Sequence, residues 1–475
     1  MENNSFNYKI AYGCWLNDSR TEPIVEENWP SIRIDQETLN SLETTMAFLK
    51  KAGYNYFDVF GLITNNNWNP DITSTVDDKR REVVKQAIDI IHKNGIKLIY
   101  GLGVYSWGFE TIIEQNPAVK GTSRQVMCAS STESETIMYK IIDYVAGNYA
   151  VDGFHLEAAD QGRCNCDSCS KYTDIDYFNR INMIAAKYIR SKWPEKVLLV
   201  NTSGYLAWGD VFSKEQLEAL KPLGESIDVF IDVGSHGIFV ANKDRKNFIR
   251  DFKASFGTAN GFWIYPPQRW DRLRWFIPHF SENINNLKEV FNDGGRSCEL
   301  YLSPLINPAV EITVFCNGMF LNNTTLKTED ILDNVVEQLY HPSNAEEKKM
   351  ICGIFCDAEA LFMSSYNPVR NRTLDESHSD GVENIFIWSK TNKDLAVPGE
   401  LFLEPLFGIG PGFPCYLLLH FDKQGRKKYH DGMIELLQKA THLKDLRPDC
   451  ERTDRIVRAL TMVIADVKEI MKKFD

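Results

Sequence analysis

Three acids stand where this chain could carry out acid–base chemistry. Glu157 and Asp160 close the run Val151-Asp152-Gly153-Phe154-His155-Leu156-Glu157-Ala158-Ala159-Asp160, and Asp232 lies near the end of the β-rich run Ile227–Gly234. Carboxylates gathered at one rim repel each other, and proteins tolerate that mostly where chemistry needs pKa values pushed apart. Paired carboxylates suit hydrolysis of a glycosidic bond. One protonates the leaving oxygen, and the other activates water, attacks, or orients a substrate group. Glu157 is the better acid candidate, because Leu156, Ala158 and Ala159 partly desolvate it and should raise its pKa. Asp160 and Asp232 are the candidates for the second carboxylate. No lysine falls at the C-terminal end of a predicted strand, which disfavours Schiff-base chemistry, and no nucleophile elbow is present.

Around these acids stand groups suited to a sugar. Trp107, Trp208, Trp263 and Tyr265 lie at or beyond strand ends, where aromatic faces stack on the C–H faces of sugar rings. Trp15, Trp270, Trp275, Tyr105 and Tyr205 accompany them, and each taken singly reads as core. Asp58, His155, Asn201, Tyr301 and Asn307 are candidate polar contacts to substrate. A separate cluster is Cys164-Asn165-Cys166-Asp167-Ser168-Cys169. With Cys128 it offers four thiolates, enough for a closed tetrahedral structural zinc. A disulfide in an oxidising compartment and free thiols in a tight turn are the other readings. No catalytic cofactor is expected.

Positioning these residues requires regular alternation of strands and helices. Strands are predicted at Lys9–Leu16, Tyr54–Gly61, Ile96–Tyr105, Asp152–Ala158, Lys196–Ser203, Ile227–Gly234, Gly261–Pro266 and Cys298–Pro304. The clearest amphipathic helices are Gln36–Ala52, Asp77–Asn94, Thr132–Asn148 and Asp174–Trp193, several of them stopping at Gly53, Gly95 or Pro194. Eight βα units predict an α/β fold, a (β/α)8 TIM barrel over residues 1–325, with a mainly helical C-terminal region over 326–475 packed on it. A strand is also expected at Asn384–Trp388. If the helix-facing residues of each strand are the aliphatic ones, Phe154 and Leu156 face out and His155 and Glu157 face in. The same rule turns Ile227, Val229, Ile231 and Val233 outward and Asp228, Phe230 and Asp232 inward. Asp58, Tyr301 and Ser303 also face in. The active mouth then lies at the strands' C-terminal ends.

The net charge of −12 disfavours nucleic acid and anionic membranes as partners. No apolar run is long enough to span a bilayer, and residues 1–7 lack a signal core. The chain as given therefore reads as cytoplasmic, or as periplasmic or secreted if a signal was trimmed. The expected partner is an oligosaccharide or glycoconjugate.

The Val151–Asp160 run with the C-x-C-x2-C that follows resembles the barrel glycoside hydrolases related to families 20, 67, 84 and 163, above all family-163-like proteins of gut bacteria. Met127-Cys128-Ala129-Ser130 resembles the segment before their third helix, and Ser303-Pro304 to Asn307-Pro308 the passage into a helical extension. The resemblance spans Tyr8 to Tyr340. It implies the barrel fold, action on N-acetylhexosamine- or uronic-acid-containing glycans, and Glu157 as acid/base. The adjacent Asp-Glu pair of family 20 is absent, because Leu156 and Ala158 flank Glu157. The D-x-D-x-E of chitinase-like enzymes is replaced by His155, Glu157 and Ala159, and the predicted seventh strand carries no carboxylate. Two other functions fit the same residues. One is a sugar-binding barrel without turnover, and the other a metal-dependent hydrolase using His155, Glu157, Asp232 and His236.

Overall fold

The computed structural model describes residues 4–13, 34–64, 67–158, 162–202, 205, 213–232, 242–260, 273, 276–302, 304–365 and 423–474. Eight parallel strands close a barrel in sequence order: β1 (Tyr8–Tyr12), β2 (Tyr56–Phe60), β3 (Lys97–Gly103), β4 (Gly153–Glu157), β5 (Val197–Asn201), β6 (Val229–Asp232), β7 (Ser255–Asn260) and β8 (Ser297–Tyr301). The surrounding helices are α1 (Gln36–Ala52), α2 (Asp78–Lys93), α3 (Glu110–Gln115), α4 (Thr132–Asn148), α5 (Asp174–Lys192), α6 (Lys214–Gly224), α7 (Asn242–Asp251), α8 (Phe280–Asn292) and α9 (Pro308–Asn322). Four more follow: α10 (Thr328–Tyr340), α11 (Ala345–Ser365), α12 (Lys423–Leu446) and α13 (Glu451–Phe474). Among the described residues no helix is long and apolar enough to cross a membrane. The strand expected at Asn384–Trp388 lies outside the described residues.

Helix ends follow local chemistry. Asp35 caps α1, accepting from Thr38 N at 2.8 Å, and Gly53 ends it at φ 97°, a left-handed turn that a side chain would strain. Asp77 and Asn94, predicted inside α2, are instead its caps, with Asp77 accepting from Arg80 N.

The inner face of the barrel holds Ile10, Tyr12, Tyr56, Phe60, Ile99, Leu199, Val229, Ile231, Ala259 and Tyr301. The helix-facing side holds Phe57, Val59, Leu98, Phe154, Leu156, Leu198, Phe230 and Leu300, packed with the helices. The predicted alternation holds for β2, β4 and β8. It is reversed in β6. Val229 and Ile231 point into the barrel, while Phe230 packs against Phe252 and Phe256 outside it. The criterion fails because a barrel interior is itself filled by branched aliphatic side chains, so an aliphatic set does not mark the outer face. Asp228, placed inward by the same rule, pairs with Arg190 of α5 and accepts from Leu198 N at 2.8 Å.

The seventh strand is Ser255–Asn260, not Gly261–Pro266, which lies outside the described residues. Its Ser-Phe-Gly-Thr-Ala-Asn run has weak β-propensity beside the aromatic Phe262-Trp263-Ile264-Tyr265 run. Gly257 is there for space, since a Cβ would meet Ser297 O at 2.4 Å.

The helical extension meets the barrel through polar clamps. Arg452 of α13 grips Glu311 of α9 with Nε at 3.0 Å from both carboxylate oxygens and Nη2 at 2.7 Å from Oε1. Glu359 of α11 caps α8, accepting from Ser281 N at 2.9 Å, Ser281 Oγ at 2.6 Å and Glu282 N at 3.3 Å. Burial raises the Glu359 carboxyl to about 7, outweighing those donors. Because its folded pKa lies above its unfolded value of 4.5, the native state holds the extra proton, and stability falls as pH rises from about 4.5 to about 7. Thermal melts at pH 5 and pH 7.5 are expected to show a larger loss for the wild type than for Glu359→Gln. Equal losses would remove this carboxyl as the cause.

Candidate active site

Three ionisable groups with no solvent exposure fill one level of the barrel, contributed by alternate strands: Asp58 (β2), His155 (β4) and Glu299 (β8). His155 Nδ1 is hydrogen-bonded to Asp58 Oδ2 at 2.6 Å and lies 3.8 Å from Glu299 Oε1. Burial raises Asp58 to about 8, and raises Glu299 well above the ordinary carboxylate value. The two acids also act on each other, lowering Asp58 and raising Glu299, with burial the larger effect on both. Both Glu299 oxygens and Asp58 Oδ1 are buried without a hydrogen-bond partner among the described residues. The rings of Tyr12 and Phe60 stand edge-on to His155, with centroids at 6.3 and 5.6 Å. Gly101, in register with His155, leaves room for Phe60, because a Cβ there would lie 2.0 Å from the ring.

Above this level, Glu157 ends β4 with its side chain 12% exposed. His155 Nε2 faces Glu157 Oε2 at 3.3 Å, and Asn201 Nδ2 of β5 donates to the same oxygen at 3.2 Å. Asn201 of the neighbouring strand and His155 of the same strand therefore flank the carboxylate from the side and from below. The turn after β3 crosses the same strand end: Gly103 is in register with Glu157, and Val104 N donates to Glu157 O at 2.8 Å. Gly103 is required, since a Cβ would meet Ser106 O at 2.1 Å. Tyr105 (φ 63°) and Trp107 (φ 70°) adopt left-handed backbone, which costs about 1–3 kcal/mol each and persists where the surroundings enforce it. Tyr105 is buried and Trp107 half-buried.

The other expected site residues divide. Asp58 and His155, expected as substrate contacts, are fully buried one level below the rim. Tyr301 is buried against Tyr12, with ring centroids 5.2 Å apart. Asn307 is buried and caps α9, accepting from Ala309 N at 3.0 Å, so its side chain is used by the helix. Asp232 is buried on Phe230's side of β6, in register with Thr258. That side of β7 also carries Asn260, which donates to Asn283 O of α8. Among the described residues no metal-ligand group joins Asp232 to His155 and Glu157. Asp160, Trp208, Trp263, Tyr265, Trp15, Ser303, His236, Trp270 and Trp275 lie outside the described residues. Glu299 was not anticipated. Its signal was present, because it lies two residues before inward-facing Tyr301.

The four predicted cysteines converge. Cys128, Cys164, Cys166 and Cys169 place their sulfurs within 4.8 Å of one another, and none is joined in a disulfide.

No family model and no curated protein sequence matches the chain. Among solved structures it is similar to an O-GlcNAc hydrolase of Thermobaculum terrenum in a mutant form, with TM-score 0.50, 11% identity, and 98% of this chain and 95% of that one covered. It is also similar to a GH138 enzyme targeting pectin rhamnogalacturonan II, with TM-score 0.52, 9% identity, and 99% of this chain and 67% of that one covered. At such identities the likeness is one of fold.

Proposed function

We propose that this barrel is a glycoside hydrolase in which Glu157 is the general acid/base. One observation carries the reading: Glu157 stands at the C-terminal end of a barrel strand, held by Asn201 and His155, while the acids of the level beneath are sealed from solvent. The Glu157 carboxyl gives its proton to the glycosidic oxygen as the C–O bond breaks, and the carboxylate then takes a proton from the water that completes hydrolysis. Asp160 is the remaining candidate for the second carboxylate, and Trp107 for a stacking platform. The substrate class we propose is an N-acetylhexosamine- or uronic-acid-containing glycan. The two similar folds, an O-GlcNAc hydrolase and an enzyme targeting a pectin, keep the reading within carbohydrates.

A sugar-binding barrel without turnover is the second reading, and the alternation of β6, with Val229 and Ile231 inward and Asp232 on Phe230's side, favours it. Incubation with a panel of aryl glycosides and released glycans separates the two. Release of a sugar from at least one member is expected. Glycan binding without product anywhere in the panel would overturn the hydrolase reading.

A further inference from the structure

The cysteine cluster lies outside the acid–base site and takes no part in the proposed hydrolysis. Its geometry is specific. With Zn–S bonds of roughly 2.3 Å, a tetrahedral zinc site has sulfurs roughly 3.8 Å apart along each edge. Cys128 Sγ lies 3.7 Å from Cys166 Sγ and 3.9 Å from Cys169 Sγ. The backbone turns to present the sulfurs together, with the N–H groups of Cys169 and Ser170 both bonding Cys166 O at 2.9 Å.

Four thiolates around a divalent zinc carry two net negative charges, and the surroundings suit an anionic centre. Arg163, next to Cys164, stacks its guanidinium 4.4 Å over the Tyr177 ring and donates to Cys169 O at 2.5 Å. A cation thus sits against the cysteine turn.

We propose that Cys128, Cys164, Cys166 and Cys169 bind one zinc ion, which ties the connection after β3 to the connection after β4. Four protein ligands close the coordination sphere, so the ion is structural and takes no part in hydrolysis. Its effect reaches the mouth through the backbone. Cys128 follows Met127, whose N–H donates to Tyr105 O at 2.8 Å, and Val126, which pairs with Ser106. The ion therefore anchors the strained Tyr105–Trp107 turn over Glu157.

Elemental analysis of the full chain, purified without added metal, is expected to find about one zinc per chain, as a closed four-thiolate site requires. Cobalt(II) exchanged into the wild type should give the absorption of a tetrahedral tetrathiolate. Cys128→Ser and Cys166→Ser should each lose most of the zinc, whereas Glu157→Gln should retain all of it, whether or not the chain is a hydrolase. Chelation of the metal should open the 104–131 connection to protease. If the serine variants do not fold, the cobalt spectrum of the wild type decides. Metal-free protein with four titratable thiols, a disulfide among these cysteines, or zinc retained by both serine variants would overturn the proposal.

Discussion

Replacing Glu157 by Gln is expected to lower turnover at least about 100-fold while leaving the fold intact, the scale on which a general acid contributes. The amide keeps the shape of the side chain and can still take the Asn201 amide hydrogen on its oxygen, so the packing at the end of β4 changes little. It has no proton to give at the moment the glycosidic bond breaks. Circular dichroism and thermal melts should match the wild type, and steady-state rates on the best natural linkage of the panel should fall. Near-normal rates would remove Glu157 from the mechanism.

The second large effect lies beneath it. His155→Leu is expected to destabilise the chain by about 3–5 kcal/mol, as does removal of one partner from a buried polar or ionic network. His155 faces all three carboxyl groups, Asp58 and Glu299 on Nδ1 and Glu157 on Nε2, so its loss strips each of them of a partner. Asp58→Asn is expected to cost far less near pH 6. Burial holds Asp58 at about 8, so at that pH the native residue carries its proton, and Asn is close to a neutral copy. The sign of the pH dependence follows. The folded pKa is above the unfolded 3.8, so the native state binds the extra proton, and stability falls as pH rises from about 4 to about 8. Asp58→Asn should flatten that slope. Urea midpoints across this window measure both effects. A His155→Leu variant as stable as the wild type, or an Asp58→Asn variant with an unchanged slope, would contradict this account of the buried level.

Much of this arrangement was legible in the amino-acid order. The eight βα units appear as alternating β-rich and amphipathic runs, and α1 and α4 begin and end where their periodicity does. In β4 the glycine and polar residues Gly153, His155 and Glu157 alternate with Phe154 and Leu156, and the faces could be assigned without ambiguity. β6 gave no such contrast, because Val229 and Ile231 suit a barrel interior as well as a helix interface, and the rule turned Asp232 the wrong way. β7 was displaced toward the aromatic run after it, since a strand of small residues packed closely on β8 gives little β signal. Glu299 was overlooked, although period two from Tyr301 pointed to it. That it meets Asp58 and His155 could not be read from sequence, because it depends on three strands meeting at one level. The cysteines succeeded because C-x-C-x2-C is a local pattern, and Cys128 was brought to it by the order of the βα units.

The central claim is that Glu157 protonates the leaving oxygen, and leaving-group dependence tests it most directly. The measurement compares kcat/KM of Glu157→Gln and wild type on a dinitrophenyl glycoside, whose leaving group needs no proton, and on the corresponding natural linkage, whose leaving group does. A small loss is expected on the activated substrate and at least about a 100-fold loss on the natural one. Equal losses on both, or no loss on either, would contradict it.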